Sequence, residues 1–231
     1  MDLNTCLISM GLTSNEATLY RTLSMHGEMT GYECAKLTGI SRSNVYIALA
    51  GLSEKGGAFA AGGAVQKYSP TPIKEFCANK RREFETAVNY IVGHMPLPSA
   101  PSSAYITING AVGIIDKMKN MIDACSERVY VSAEAAVLAK VIFELSKVVE
   151  RGLKVVVMTD QELSLDGAIM YGMTRRDGQI RLIVDSRFVL TGEIAENHPC
   201  SCLFSSGETL VSLFKDAMKN EIRLIELGEL H

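Results

Sequence analysis

Several things are scarce in this chain, and each scarcity excludes something. No apolar run approaches the roughly 18–20 residues needed to cross a bilayer, so no membrane partner is expected. The opening residues Met1-Asp2-Leu3-Asn4 carry no basic n-region, which argues against a secretory leader. Positive charge is thin: 23 Lys and Arg stand against 26 Asp and Glu, for a net charge of −3. Residues 1–70 hold five basic and five acidic side chains. A DNA-binding surface usually leaves a basic footprint, because neutralising phosphates releases counterions, and here that footprint is faint. The six cysteines (Cys6, Cys34, Cys77, Cys125, Cys200 and Cys202) are scattered, mostly among apolar neighbours. That is the pattern of reduced thiols, not of a disulfide framework. A soluble, cytoplasmic protein without a bound cofactor is the expectation.

At 231 residues the chain is long enough for one large domain or two ordinary ones. One cluster could offer soft metal ligands, His198-Pro199-Cys200-Ser201-Cys202. It reads either as buried strand thiols or as a metal or redox site. Since a zinc site wants about four ligands at recurrent spacings, no metal is assigned.

The N-terminal stretch shows three helix starts with one grammar. Thr13 with Glu16, and Thr30 with Glu33, are capping boxes, in which cap and third residue satisfy each other's free backbone N–H groups. Ser41 stands at the cap position of a third helix. Gly27, Gly39 and Gly56 fall where helix C-terminal glycines belong. Helices are predicted over roughly 14–25, 31–37 and 42–54. In the third, Val45, Ala48, Leu49 and Leu52 form an i, i+3, i+4, i+7 stripe that must pack inward. The other side presents Arg42, Ser43, Asn44, Tyr46, Ile47 and Ala50. Such side chains can read base edges or grip phosphates; an ordinary solvated face is the alternative. Gly62-Gly63 between two short segments predicts a two-residue hairpin, with Gln66 and Lys67 on its returning strand.

Residues 73–92 predict an amphipathic helix with Ile73, Phe76, Cys77, Phe84, Ala87, Val88 and Ile91 along one stripe. One helix cannot hide that stripe alone, and a two-fold homodimer would place twin recognition helices on half-sites about a turn apart. Ile73, Phe76, Phe84, Ala87 and Ile91 are the candidate dimerisation residues. Met95 to Ser103 holds three of the six prolines and predicts a linker. From Ala104 onward strands and helices alternate: strands near 105–108, 129–132, 154–158, 180–184, 188–190 and 201–204, helices over about 111–125, 134–150 and 207–220. An α/β sandwich is expected there. The polar loop from Thr159 to Gly178 either shapes an effector pocket or is a solvated surface.

Leu12-Thr13-x-x-Glu16-Ala17-x-x-Tyr20, Ala35-Lys36-x-x-Gly39-Ile40-x-Arg42-Ser43-x-Val45-Tyr46, Leu49-x-x-Leu52-x-x-Lys55-Gly56 and Lys67-Tyr68-x-Pro70-x-Pro72 together resemble the TrmB family of transcriptional regulators. The resemblance implies a DNA-binding winged helix and dimerisation through the helix that follows it. The wing departs from that pattern in being Ala/Gly-rich and almost uncharged. Leu182 to Glu193 resembles the phospholipase D-like domain of such regulators. Active phospholipase D-like enzymes carry His-x-Lys-x4-Asp and a glycine seven residues after the Asp. Here Asp185 and Gly192 match, but Gly178 replaces the His and Ile180 the Lys. Glycine cannot form a phosphohistidine and isoleucine cannot hold an oxyanion, so catalysis of that type is excluded on chemistry; Asp185 is expected to hold a turn or a neighbouring backbone group. Sugar-sensing members carry an additional C-terminal domain that this sequence does not reach, so sugar recognition is not carried over.

The expected architecture is multidomain α+β: a winged helix-turn-helix over 1–72, a connecting and dimerising helix over 73–95, a linker over 96–103 and a phospholipase D-like α/β domain over 104–231. The expected function is that of a homodimeric transcriptional regulator without enzymatic activity. It would bind double-stranded DNA through Ser41, Arg42, Ser43, Asn44, Tyr46 and Lys67, and sense an unidentified small-molecule effector. The competing reading is a protein–protein adaptor that uses the winged helix for docking.

Overall fold

The computed structural model describes residues 2–63, 65–96, 105–173, 178–195 and 199–228. Two compact units emerge, Met1–Leu97 and Pro98–His231. Residues 97–104, which include most of the expected linker, lie outside the described residues.

The first unit contains α1 (Leu3–Ser9), α2 (Ser14–His26), β1 (Met29–Thr30), α3 (Gly31–Thr38), α4 (Arg42–Glu54), β2 (Ala58–Ala61), β3 (Lys67–Pro70) and α5 (Ile73–His94). Both capping boxes form: the Glu16 N–H donates to Thr13 Oγ1 at 3.2 Å and the Thr13 N–H to Glu16 Oε2 at 2.7 Å. Thr30 and Glu33 repeat the pattern at 2.8 and 3.2 Å. Helix α3 ends on Gly39 in the left-handed conformation, as the glycine signal indicated. Val45, Ala48, Leu49 and Leu52 are all buried, so the stripe of α4 packs as its period required, against α2 and α3. Lys55, capping α4, reaches Glu16 of α2 at 2.6 Å. Burial alone would raise the Glu16 carboxyl, but Lys55 and the Thr13 donors outweigh it and lower its pKa.

One helix is added to this unit and three expectations about it are corrected. Helix α1 was not anticipated; Asp2 caps it, accepting from the N–H groups of Asn4 and Thr5. Ser41 occupies the cap position of α4 but makes no side-chain cap bond; its hydroxyl lies 3.3 Å from that of Ser43 instead. The hairpin is not a two-residue turn: Ala61 pairs with Lys67, leaving five residues between them. Here β3 is the central strand of a three-stranded sheet ordered β1-β3-β2. Phe76 is fully buried in its own unit, 5.2 Å ring to ring from Tyr20, so it cannot line a dimer interface.

The second unit contains β4 (Tyr105–Asn109), α6 (Ala111–Asp123), β5 (Arg128–Ser132), α7 (Ala135–Leu138), α8 (Ile142–Glu150), β6 (Lys154–Thr159), β7 (Ile169–Gly172), β8 (Gln179–Val184), β9 (Phe188–Glu193), β10 (Ser201–Ser205) and α9 (Glu208–Glu226). Its seven-stranded sheet runs β4-β10-β9-β8-β5-β6-β7, parallel only across β5-β6-β7. The period of two along each strand sends alternate side chains to opposite faces. Val129, Val131, Val155, Val157, Leu182 and Val184 meet α6 and α8 on one face. Met158, Ile183 and Val189 meet α9 on the other. The buried Arg181–Glu221 ion pair, 2.7 Å long, ties α9 to β8. Two expectations change. The helix predicted over 134–150 is broken at Ala139–Val141 into α7 and α8. The loop from Thr159 to Gly178 contains β7, an edge strand in register with β6.

Candidate nucleic-acid interface

Burying one face of α4 leaves the other free by geometry. Ser41, Arg42, Ser43, Asn44, Tyr46 and Ile47 are all exposed, and they share the first turns of one helix. Two of them are held from α3. The Arg42 guanidinium carbon lies 4.6 Å from the ring centroid of Tyr32, a cation–π distance. The Tyr46 ring, 48% exposed, fills the space above Gly31, where a Cβ would stand 2.6 Å from Cε1. Exposed Tyr32 and buried Gly31 thus support this surface from α3, although sequence reasoning did not select them. Both contacts join different helices, and no spacing rule within one helix could reveal them.

Lys67 begins β3, within the hairpin rather than on α4, and lies 3.5 Å from Glu28 with both side chains about half exposed. A surface pair of that kind is weak, so the ammonium can be recruited by a stronger anion at little cost. A cationic Arg42 on an aromatic shelf, small hydroxyls, an amide and a phenol can grip phosphate oxygens and base edges.

The candidate dimerisation residues part company. Phe76 faces its own core. Ile73 is 51% exposed, Phe84 70% and Ile91 52%, and Ala87 is exposed too. From Arg81 to His94 no residue of α5 is buried. Phe84, Ala87, Val88 and Ile91 therefore form an uncovered i, i+3, i+4, i+7 stripe.

In the second unit the position corresponding to a phospholipase D-type nucleophile is closed. A Cβ at Gly178 would lie 2.3 Å from the Ile194 carbonyl oxygen and 2.8 Å from its carbon. The Gly178 N–H donates to Glu134 Oε1 at 3.0 Å. Ile180, at the lysine position, is fully buried. Asp185 is a backbone anchor: it accepts from the N–H groups of Ser126, Glu127 and Arg128 at 2.9, 2.8 and 3.0 Å. The Ser126 hydroxyl and Cys125 thiol add to these. Burial alone would raise this carboxyl, but those N–H donors outweigh it and hold its pKa far below the usual carboxylate range. Burial and the Asp185 contact push the Cys125 thiol up to about 11, so it stays protonated at neutral pH.

Near β6 and β7 a pocket is lined by Thr159, Asp160, Glu162, Ser164 and Tyr171. Asp160 is engaged, accepting from the Ala135 N–H at 2.9 Å. Arg175, Arg176 and Asp177 of that loop lie outside the described residues. Cys202 is buried in the sheet and Cys200 is half-buried, its thiol 3.4 Å from the Ala195 carbonyl. His198 lies outside the described residues. Among the described residues no helix is long and apolar enough to cross a membrane.

A bundle whose exposed helix is followed by a short antiparallel hairpin defines a winged helix-turn-helix module, the class to which the first unit belongs. Residues 7–74 match the family model described as sugar-specific transcriptional regulator TrmB, so this unit carries a TrmB-family domain. The chain is 26% identical over 169 residues to the uncharacterized protein YrhO of Bacillus subtilis (strain 168), a match covering 71% of this chain. It spans 61% of that relative's length. Among solved structures it is similar to TrmBL2, described as an archaeal chromatin protein with a novel mode of DNA binding. That likeness has a TM-score of 0.49 and 16% identity, covering 96% of this chain and 97% of the other. NucT from Helicobacter pylori is similar at a TM-score of 0.44 and 12% identity, over 52% of this chain and 95% of its own. Nuc from Salmonella typhimurium, a phospholipase D family member, is similar at 0.42 and 12%, over 50% and 91%.

Proposed function

We propose that this protein is a dimeric, DNA-binding transcriptional regulator whose second unit is non-catalytic and senses an effector. The observation that carries the reading is the exposed first turns of α4, where Arg42 rests on Tyr32 and Tyr46 on Gly31. Inserted into a major groove, Ser41, Ser43 and Asn44 reach base edges, while Arg42 reaches a guanine edge or a phosphate. The Tyr46 hydroxyl reaches the backbone, and Lys67 leaves Glu28 for a phosphate. With an Ala/Gly-rich wing, specificity rests on the Ser41–Tyr46 segment. The stripe Phe84, Ala87, Val88 and Ile91 joins two copies, with Ile73 at its near end. A second unit without catalysis is supported by the closed position at Gly178 and the buried Ile180.

The test is binding of the pure protein to DNA from its own promoter region, followed by fluorescence anisotropy across a salt series. Retention that weakens with salt, and weakens further in Arg42→Ala, is expected. Failure to bind promoter or bulk DNA at about 50 mM salt would overturn the reading, because phosphate contacts strengthen steeply at low salt. It would favour a protein-docking role for the same surface, in line with the even charge of residues 1–70. Phosphodiesterase turnover that co-purifies with the protein and is lost in a Glu134→Gln variant would overturn the non-catalytic assignment.

A further inference from the structure

A small pocket of about 180 Å³ opens between α6 and the β8–β9 hairpin of the second unit. It lies away from Gly178 along β8, at the strand's Asp185 end. Lys117 and Asn120 of α6 line one side, and Phe188 and Phe204 of the sheet line the other. The two rings are stacked, 6.0 Å apart at an interplanar angle of 14°. Phe188 is 39% exposed and Phe204 half-buried, so the Phe188 side of this aromatic floor is open to solvent.

Lys117 is the unusual member. It is half-buried, with its ammonium 3.7 Å from the centroid of Phe204. Its neighbour Lys119 pairs with Glu144 at 3.5 Å, whereas no carboxylate among the described residues forms an ion pair with Lys117. Burial pulls its pKa below the ordinary lysine value. A partly desolvated cation without an ion-pair partner among the described residues is held at a cost that a bound anion would offset. Asn120 is exposed on the same side and adds an amide donor. Asp185 also lines the pocket, but its oxygens are taken up by the donors of Cys125 to Arg128.

We infer that this pocket binds a small organic monoanion, a carboxylate on a flat apolar body, with the carboxylate on Lys117 and Asn120 and the body against Phe188 and Phe204. The volume falls below the roughly 300–1,000 Å³ of sites for drug-sized ligands, which limits the body to about one ring. A free phosphate would use the cation and leave the aromatic floor uncovered, and a dianion would meet more repulsion from Asp185. The assignment gives a chemistry to the effector sensing proposed above and rests on that reading only for its regulatory consequence.

The experiment uses the full chain without DNA, so its outcome is independent of DNA binding. Benzoate and its uncharged isostere benzamide are titrated, with saturation-transfer NMR as the readout. Saturable benzoate binding is expected, with benzamide at least about tenfold weaker, as the loss of one charge-assisted contact implies. Lys117→Met should abolish benzoate binding while circular dichroism and the melting curve stay those of the parent. Phe188→Ala, a milder change at the rim, should weaken it and serves if Lys117→Met does not fold. Absence of saturable binding would overturn the inference. So would equal affinity for benzamide, survival of binding in the folded variants, or displacement of benzoate by inorganic phosphate at equal concentration.

Discussion

The ring of Tyr46 stands where a side chain at Gly31 would have to be: a Cβ there would lie 2.6 Å from Cε1 and 2.9 Å from Cζ. Gly31 opens α3 and Tyr46 sits on α4, so the contact limits how closely the two helices approach at the candidate interface. Gly31 has no unusual φ, so alanine is acceptable to the backbone and only the ring must give way. Because Tyr46 is half exposed, it can swing outward at a stability cost of about 1 kcal/mol or less. Gly31→Ala should therefore melt close to the parent yet bind promoter DNA less tightly. In a Tyr46→Ala background the clash is gone, and the small loss caused by Gly31→Ala should vanish or reverse in thermal melts. Additive losses would mean that the ring does not rest on Gly31.

In the proposed DNA complex Tyr32 acts through Arg42, whose guanidinium it carries. An exposed cation–π contact is worth about 0.5–1 kcal/mol, so Tyr32→Ala should weaken DNA binding about two- to fivefold by releasing the guanidinium. Tyr32→Phe keeps the ring face and should bind like the parent. The effect of Tyr32→Ala should disappear in an Arg42→Ala background. If Tyr32→Phe fell as far as Tyr32→Ala, the hydroxyl rather than the Arg42 contact would be responsible.

Asp185 is the carboxylate through which acid is expected to weaken the second unit. Its folded-state pKa is depressed, so its contribution is complete above the ordinary aspartate value of about 4 and is lost as pH falls through the lower folded value. Asparagine tolerates the left-handed backbone at this site, where φ is 53°, but replaces one acceptor by a donor facing N–H groups. Asp185→Asn should lose on the order of 2–4 kcal/mol at neutral pH. The gap to the parent should narrow as the pH is lowered below about 4, in denaturant titrations at several pH values. A gap that did not change with pH would assign the effect to packing.

The legible parts of this fold were those written in adjacent residues. Thr13 with Glu16 and Thr30 with Glu33 announce helix starts because a capping box closes within four residues. The inward stripe of α4 follows from its period alone. The β-branched run Val155-Val156-Val157 declared a buried parallel strand, and β6 is one. What stayed hidden depends on distant partners. Strand β7 has glycine and methionine among its four residues and exists because β6 offers an edge. Ala139, Lys140 and Val141 contain no helix breaker; the chain turns there while Leu138, Val141 and Leu145 all enter one core. Of the candidate interface, the exposed polar face of α4 could be read directly, but its supports Tyr32 and Gly31 could not.

Phe76 and Phe84 stand on one helix with the same chemistry and opposite fates, and that contrast defines the dimer prediction. Phe76 meets Tyr20 in the core of its own unit, whereas Phe84 lies beyond the reach of that core and is 70% exposed. An uncovered stripe of Phe84, Ala87, Val88 and Ile91 on a charged helix matches the seam of a paired helix. Phe84→Asp places a charge within that seam. Thr86→Asp places the same charge about 200° around the helix from it, given about 100° per residue. In sedimentation equilibrium the parent and Thr86→Asp should be dimers and Phe84→Asp a monomer, all three with the same helical content. Affinity for a full promoter site should fall steeply in Phe84→Asp, while affinity for an isolated half-site stays near that of the parent, because only the full site needs two recognition helices at fixed spacing. A parent that sediments as a monomer, or a Phe84→Asp variant that stays dimeric, would move the pairing surface away from this helix.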